Sequence, residues 1–226
     1  MAETTREMIT YGPGKLSGFL AVPKGKGPFP GLVVIHEWWG LNEQIKAATA
    51  ELADAGYVAL AVDLYRGLVT LDPAEAQKLA GSLDRGRALS DLEEAFRFVA
   101  GRPDVRKVGS VGWCMGGGFS FQLAVAEPSL AAAVIYYGFL DAKPEMLKKI
   151  KAPIIGFFGR EDKAIPVTAV EAFESAMRKV GRAATVHVYD GAGHAFANPT
   201  RTDAYRPEAT RDSWEKMMKF FATALV

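Results

Sequence analysis

An α/β fold, with a mainly parallel central sheet between helix layers in a three-layer sandwich, follows from three features of the sequence. Short Val- and Ile-rich runs that are apolar on both faces recur along the chain. Helix-length amphipathic stretches separate them and supply the crossovers that parallel strands require. Glycines close several of those stretches where a helix C-terminus is expected. At 226 residues the chain fits one domain, 1–226.

Taken in order, Leu16–Val22, between Lys15 and Pro23, reads as an N-terminal edge strand. Gly31–Ile35 is a buried strand entered from the turn-rich stretch Lys24–Pro30. Asn42–Ala55 is a helix stopped by Gly56, and Tyr57–Val62 is the next strand. Leu83–Ala100 carries Leu83, Leu89, Leu92, Phe96 and Val99 at helical spacing and ends at Gly101. Val108–Trp113 is a strand running directly into a helix, Met115–Ala126. Ala131–Tyr136 and Pro153–Phe158 are strands, Val167–Val180 is a helix closed by Gly181, and Ala184–Tyr189 is a further strand. Asp203–Leu225 finishes as a long amphipathic helix. No repeat or low-complexity linker divides the chain.

Composition narrows the function. Lys plus Arg number 27 and Asp plus Glu 26, a net charge of +1, which argues against bulk affinity for nucleic acid or an acidic membrane. Cys114 is the single cysteine, so neither an internal disulfide nor a cysteine-clustered metal site is available. No apolar run reaches the roughly 20 residues of a membrane helix. The start, Met1–Tyr11, is polar, carries Glu3 and Glu7, and lacks the basic flank and apolar core of a signal peptide. The expectation is a cytoplasmic protein.

In parallel sheets chemistry gathers in loops at the carboxyl ends of the strands. Gly112-Trp113-Cys114-Met115-Gly116 lies at such an end and has the form of the G-x-S-x-G nucleophile elbow, with cysteine in the serine position. Its glycines suit a tight turn in which strand and helix crowd the nucleophile. The helix that follows offers free N–H groups and a positive dipole end to a thiolate and a developing oxyanion. The competing reading is a buried structural cysteine. The position between strand and helix, with Gly116-Gly117-Gly118 following, favours function.

A nucleophile needs a base. Of three histidines, His194 follows the last strand in Gly191-Ala192-Gly193-His194, His187 alternates within that strand as a structural side chain, and His36 ends a central strand with its role open. Asp162, in Gly159-Arg160-Glu161-Asp162 after Pro153–Phe158, is the orienting acid, with Glu161 as its weaker competitor. The chain order Cys114, Asp162, His194 is the nucleophile–acid–base order of α/β-hydrolases. Glu37, beside Trp38 and Trp39, borders the same strand ends, and a buried carboxylate there would have a raised pKa. The backbone N–H groups of Trp38 and Met115 are the candidate oxyanion donors. His36-Glu37-Trp38-Trp39-Gly40 fails the zinc motif H-E-x-x-H at Gly40, and no G-K-[ST] follows the glycines at 116–118. No metal and no cofactor are expected.

Ile35-His36-Glu37, Gly112-Trp113-Cys114-Met115-Gly116-Gly117, Gly159-Arg160-Glu161-Asp162 and Gly191-Ala192-Gly193-His194 together resemble the dienelactone hydrolase family. Asp63-Leu64-Tyr65 and Tyr136-Tyr137-Gly138 extend the likeness over nearly the whole chain. The resemblance implies an α/β-hydrolase fold and a Cys114–His194–Asp162 triad. It also implies a Glu37 that pairs with the resting thiol and controls its activation. Similar proteins open a lactone ring and hold the substrate carboxylate with two arginines. Asn198 stands at one of those positions, four residues after His194, and no arginine matches the other in the shorter segment 71–78. Lys78, Arg85, Arg87 and Arg201 are the candidate substitutes.

The expected partner is a small-molecule ester or lactone, with monomer and dimer both open. Trp38, Trp39, Tyr137, Phe139 and Phe196 are expected as aromatic walls, against the alternative of ordinary core packing. The nearest competing function is a carboxylesterase or thioesterase for neutral substrates. A non-catalytic ligand-binding scaffold and a thiol redox sensor are the more distant ones.

Overall fold

The structure, a computed structural model, describes residues 4–226; Met1–Glu3, part of the polar start, lie outside the described residues. Eight strands form one sheet: β1 (Thr5–Tyr11), β2 (Leu16–Val22), β3 (Phe29–Ile35), β4 (Val58–Val62), β5 (Val105–Trp113), β6 (Ala132–Tyr136), β7 (Ile154–Gly159) and β8 (Ala184–Tyr189). Their order is β1-β2-β4-β3-β5-β6-β7-β8. The β1–β2 and β2–β4 pairs are antiparallel, and every other pair is parallel.

The helices are α1 (Glu43–Asp54), α2 (Pro73–Ser82), α3 (Arg85–Ala100), α4 (Met115–Ala126), α5 (Pro144–Leu147), α6 (Val167–Lys179) and α7 (Pro207–Ala224). Strand side chains alternate between two cores. Val33, Ile35, Leu60 and Val62 meet α3, α4 and α6 on one face, through Leu92, Phe119 and Phe173 among others. Leu32, Val34, Ala59 and Ala61 meet α1 and α7 on the other, through Ile45, Leu52, Met217 and Phe221. Phe221 is wholly buried, and truncating such a side chain costs about 3–5 kcal/mol. Asn42 and Asp84 cap α1 and α3 by accepting from Ile45 N–H and Arg87 N–H. Among the described residues, no helix is long and apolar enough to cross a membrane.

Three expectations change. The edge strand is β1, not Leu16–Val22; β1 is exposed along most of its length, so it carries no apolar alternation to read. α2 is a helix that the hydrophobic pattern does not predict, because Ala76 is its one buried residue, although Asp72 caps it and Pro73 opens it. The last helix begins at Pro207 rather than Asp203, since a residue before proline is driven out of the α region.

Register is what builds a site. Ile35 pairs with Val62 and with Gly112, Trp113 with Tyr136, Tyr136 with Phe157, and Gly159 with Tyr189. The carboxyl ends of six strands therefore finish level, and their loops share one edge.

Candidate active site

Cys114 lies between β5 and α4 with φ 55° and ψ −118°, a conformation L-residues rarely hold. The glycines around it make this turn fit. A Cβ on Gly112 would collide with the carbonyl oxygen of Gly116, and one on Gly116 with those of Ile35 and His36. Cys114 N–H donates to Tyr136 O at 3.0 Å, tying the turn to β6. No side chain caps α4. The Met115 N–H, at the first helical position, has no carbonyl behind it to bond, and the Trp38 N–H is unpaired among the described residues. Two donors thus stand free among the described residues, one of them next to Cys114 in the chain.

His194 Nε2 is 3.1 Å from Cys114 Sγ, and His194 Nδ1 is 2.8 Å from Asp162 Oδ2. The second oxygen of Asp162 accepts from Ala164 N–H at 2.8 Å and Ile165 N–H at 3.0 Å. Burial pushes the Asp162 carboxyl up, but the His194 bond and charge and these two N–H groups outweigh it and hold it below its usual range. Burial alone would lower His194, yet its bonds to Asp162 and to the sulfur raise it to about 10. Glu161, the rival acid, is exposed.

Glu37 is fully buried at the end of β3. Tyr137 Oη donates to its Oε1 at 3.1 Å and Asn198 Nδ2 to its Oε2 at 2.5 Å. Burial raises its pKa against the pull of both bonds and of the His194 and Arg201 charges. The carboxylate is bonded to these two neighbours, while the thiol's partner is His194. Among the described residues Glu37 makes its side-chain bonds to Tyr137 and Asn198, and none to the sulfur.

The aromatic residues divide. Trp38 is half-buried and meets the buried Trp39 edge-on at 5.0 Å. Tyr137 is enclosed, with its ring edge-on to His194 at 5.1 Å. Phe139 is exposed and lies beside Gly118 in the first turn of α4. Phe196 is a correction: it is wholly buried against Tyr136, Tyr137 and Tyr189, so it is core rather than wall. Asn198 and Tyr137 likewise spend their polar groups on Glu37. A cavity of about 750 Å³ between α1 and α7, floored by Trp113 and Tyr136, has none of Cys114, Asp162 or His194 in its lining.

Of the four basic candidates, Arg201 reaches the site. Its guanidinium lies 6.0 Å from the centre of the Trp39 ring, and its charge acts on Glu37 and on the Cys114 sulfur. Asp203 pairs with it at 2.8 Å. Lys78 and Arg87 are exposed on α2 and α3, and Arg85 packs over Phe119 at 5.1 Å. Sequence reading gave no role to Tyr65, whose Oη reaches Met115 Sδ at 3.4 Å beside Cys114. Its signal is its place three residues past β4.

The sequence matches the dienelactone hydrolase family over residues 16–225. A protein of Saccharolobus solfataricus named "Putative carboxymethylenebutenolidase" is 34% identical, over 91% of this chain and 93% of its own. A solved structure of a "Putative Dienelactone Hydrolase" from Klebsiella pneumoniae superposes with a TM-score of 0.88 at 28% identity, over 98% of this chain and 99% of that one. A dienelactone hydrolase-like promiscuous phosphotriesterase from metagenomic libraries superposes at 0.89 with 26% identity, over the full length of both.

Proposed function

We propose, from the premise that this chain belongs to the dienelactone hydrolase family, that it hydrolyses a carboxylic ester or lactone through a thioester on Cys114. The observation that carries the reading is the position of His194, within 3.1 Å of the Cys114 sulfur and within 2.8 Å of the buried Asp162 carboxylate.

In this mechanism His194, oriented by Asp162, takes the thiol proton of Cys114 as substrate enters. The sulfur attacks the carbonyl carbon, and the oxyanion accepts from the Met115 and Trp38 N–H groups. Collapse of the tetrahedral intermediate breaks the C–O bond, and His194 gives its Nε2 proton to the departing oxygen. The now neutral imidazole takes a proton from water, whose oxygen attacks the thioester. A second collapse releases the acid and frees the sulfur, to which the imidazolium returns the proton. Asp162 keeps the ring in the tautomer that points Nε2 at the sulfur throughout.

Arg201 supports a substrate that carries a carboxylate, since among the four basic candidates its guanidinium is the one whose charge couples to Glu37 and the sulfur. Asn198 supports the second reading, a neutral ester, because the position that would carry an arginine is bonded inward to Glu37. A matched pair of aryl esters, one neutral and one bearing a carboxylate, separates them. Turnover gives the preference, and intact mass reports the acyl group on Cys114. A preference of tenfold or more for the anion, about 1.4 kcal/mol, supports the Arg201 anchor. Hydrolysis with no adduct on Cys114 under rapid quench, together with full activity in Cys114→Ala, overturns the thioester.

A further inference from the structure

His36 is a wholly buried imidazole that takes no part in the steps above. Its Nδ1 lies 2.5 Å from the carbonyl oxygen of Glu37, and its Nε2 accepts from Leu64 N–H at 3.3 Å. The Leu64 donor leaves Nε2 only an acceptor's role, so the ring proton is on Nδ1 and is given to Glu37 O. Burial lowers the pKa of this ring, against the Glu37 bond and the Asp63 charge, which keeps it in that neutral form.

The Glu37 carbonyl shares a planar trans peptide with the Trp38 N–H, and the two groups point in opposite directions. A ring that grips the oxygen therefore sets the aim of the N–H. The Gly40 N–H also reaches Glu37 O, at a longer 3.4 Å, and closes the turn from the other side. The start of α4 rests on the same segment, because Gly116 lets its backbone approach the Ile35 and His36 carbonyls. Tyr65 wedges the ring edge-on at 5.0 Å and touches Met115 through its hydroxyl at 3.4 Å. The segments that carry both free N–H groups are thus framed by contacts that run through His36 and Tyr65.

We propose that His36 is a positioning residue for transition-state stabilisation: its Nδ1–H bond to Glu37 O holds the Trp38 N–H on the oxyanion that forms at Cys114. The inference rests on the hydrolytic reading above. It specifies which property of the enzyme depends on the ring. Carbonyl attack develops an oxyanion and needs the held N–H, whereas alkylation of the same sulfur develops none.

The test compares two rates at Cys114, both read by intact mass: acylation by p-nitrophenyl acetate and alkylation by iodoacetamide. Three variants separate the ring's two bonds. His36→Asn keeps an N–H where Nδ1 stands, His36→Gln places its amide where Nε2 stands, and His36→Leu removes both. We expect His36→Leu and His36→Gln to acylate about 10–100-fold more slowly, with KM and the alkylation rate within about twofold of wild type. His36→Asn recovers most of the acylation rate. Should His36→Leu fail to fold, the Asn and Gln pair decides alone. Equal losses in acylation and alkylation, unchanged acylation, or rescue by Gln rather than Asn each overturn the proposal. Wild-type protein that is alkylated but never acylated instead fails the hydrolytic reading, and this inference falls with it.

Discussion

Asn198 donates its side-chain amide to Oε2 of Glu37, 161 residues earlier in the chain, at 2.5 Å. Its own amide oxygen accepts from Thr200 N–H at 3.0 Å and Thr200 Oγ1 at 2.7 Å, so the amide cannot turn away without losing three bonds. With Tyr137 on the other oxygen, Glu37 is clamped beside the site. In this arrangement the bonds of the carboxylate go to Asn198 and Tyr137, and that of the sulfur goes to His194.

Removing the clamp should be visible in stability and in the thiol. Asn198→Ala leaves a buried carboxylate oxygen unpaired, a cost of about 1–3 kcal/mol, which urea denaturation would register. Freed of that bond, the Glu37 pKa should rise further and the carboxyl can compete for the sulfur. The expected outcome is slower iodoacetamide alkylation near neutral pH. Unchanged stability and unchanged alkylation would show that the bond does neither.

Cys114→Ala should abolish ester turnover while the thermal midpoint stays near that of wild type, since the residue is half-buried at a strand–helix junction. Cys114→Ser should retain a small fraction of the rate. Full activity in the alanine variant removes the covalent mechanism.

Asp162→Asn should lower kcat by about 10³–10⁴-fold with little change in KM, because an amide no longer fixes the ring tautomer. The acid is enclosed on the protein side and bonded by two N–H groups, so its effect is on orientation rather than on substrate contact.

The same pair predicts a pH dependence of stability. His194 moves from 6.5 to about 10 on folding, so its contribution is fully present below about 6.5 and is lost as pH rises through about 10. Asp162 moves downward, so its share holds above the unfolded carboxylate range and is lost as pH falls through its folded value. The thermal midpoint of wild type should therefore fall more between pH 6.5 and 10 than that of His194→Gln. Parallel curves for the two proteins would contradict the shift.

Gly116→Ala tests the elbow. Its Cβ would strike backbone oxygens of Ile35 and His36 rather than a yielding side chain, and the expected loss exceeds about 3 kcal/mol. Calorimetry on this variant, beside Gly81→Ala in open space on α2, separates collision from helix propensity.

Much of this was legible from residue order. Runs such as Gly31–Ile35 and Val58–Val62 are apolar on every residue because both faces are covered, and covered parallel strands fix the layered fold. Cys114, Asp162 and His194 were legible as candidates because each lies in the turn or loop after a strand, and strand ends are where such sheets expose reactive groups. The exposed β1 and α2 were not, since neither buries enough to imprint a period.

What the tertiary structure alone decided is which polar atoms face each other. That depends on registers such as Ile35 with Gly112 and Trp113 with Tyr136, which level the strand ends, and on loops whose course no local pattern encodes. Asn198 on Glu37, Arg201 over Trp39, Phe196 in the core and His36 on the Glu37 carbonyl are all results of that kind. Hydrophobic period is a property of neighbours along the chain, and so it is written in sequence. Hydrogen-bond partnership between loops is set by packing across the sheet, and only the folded molecule settles it.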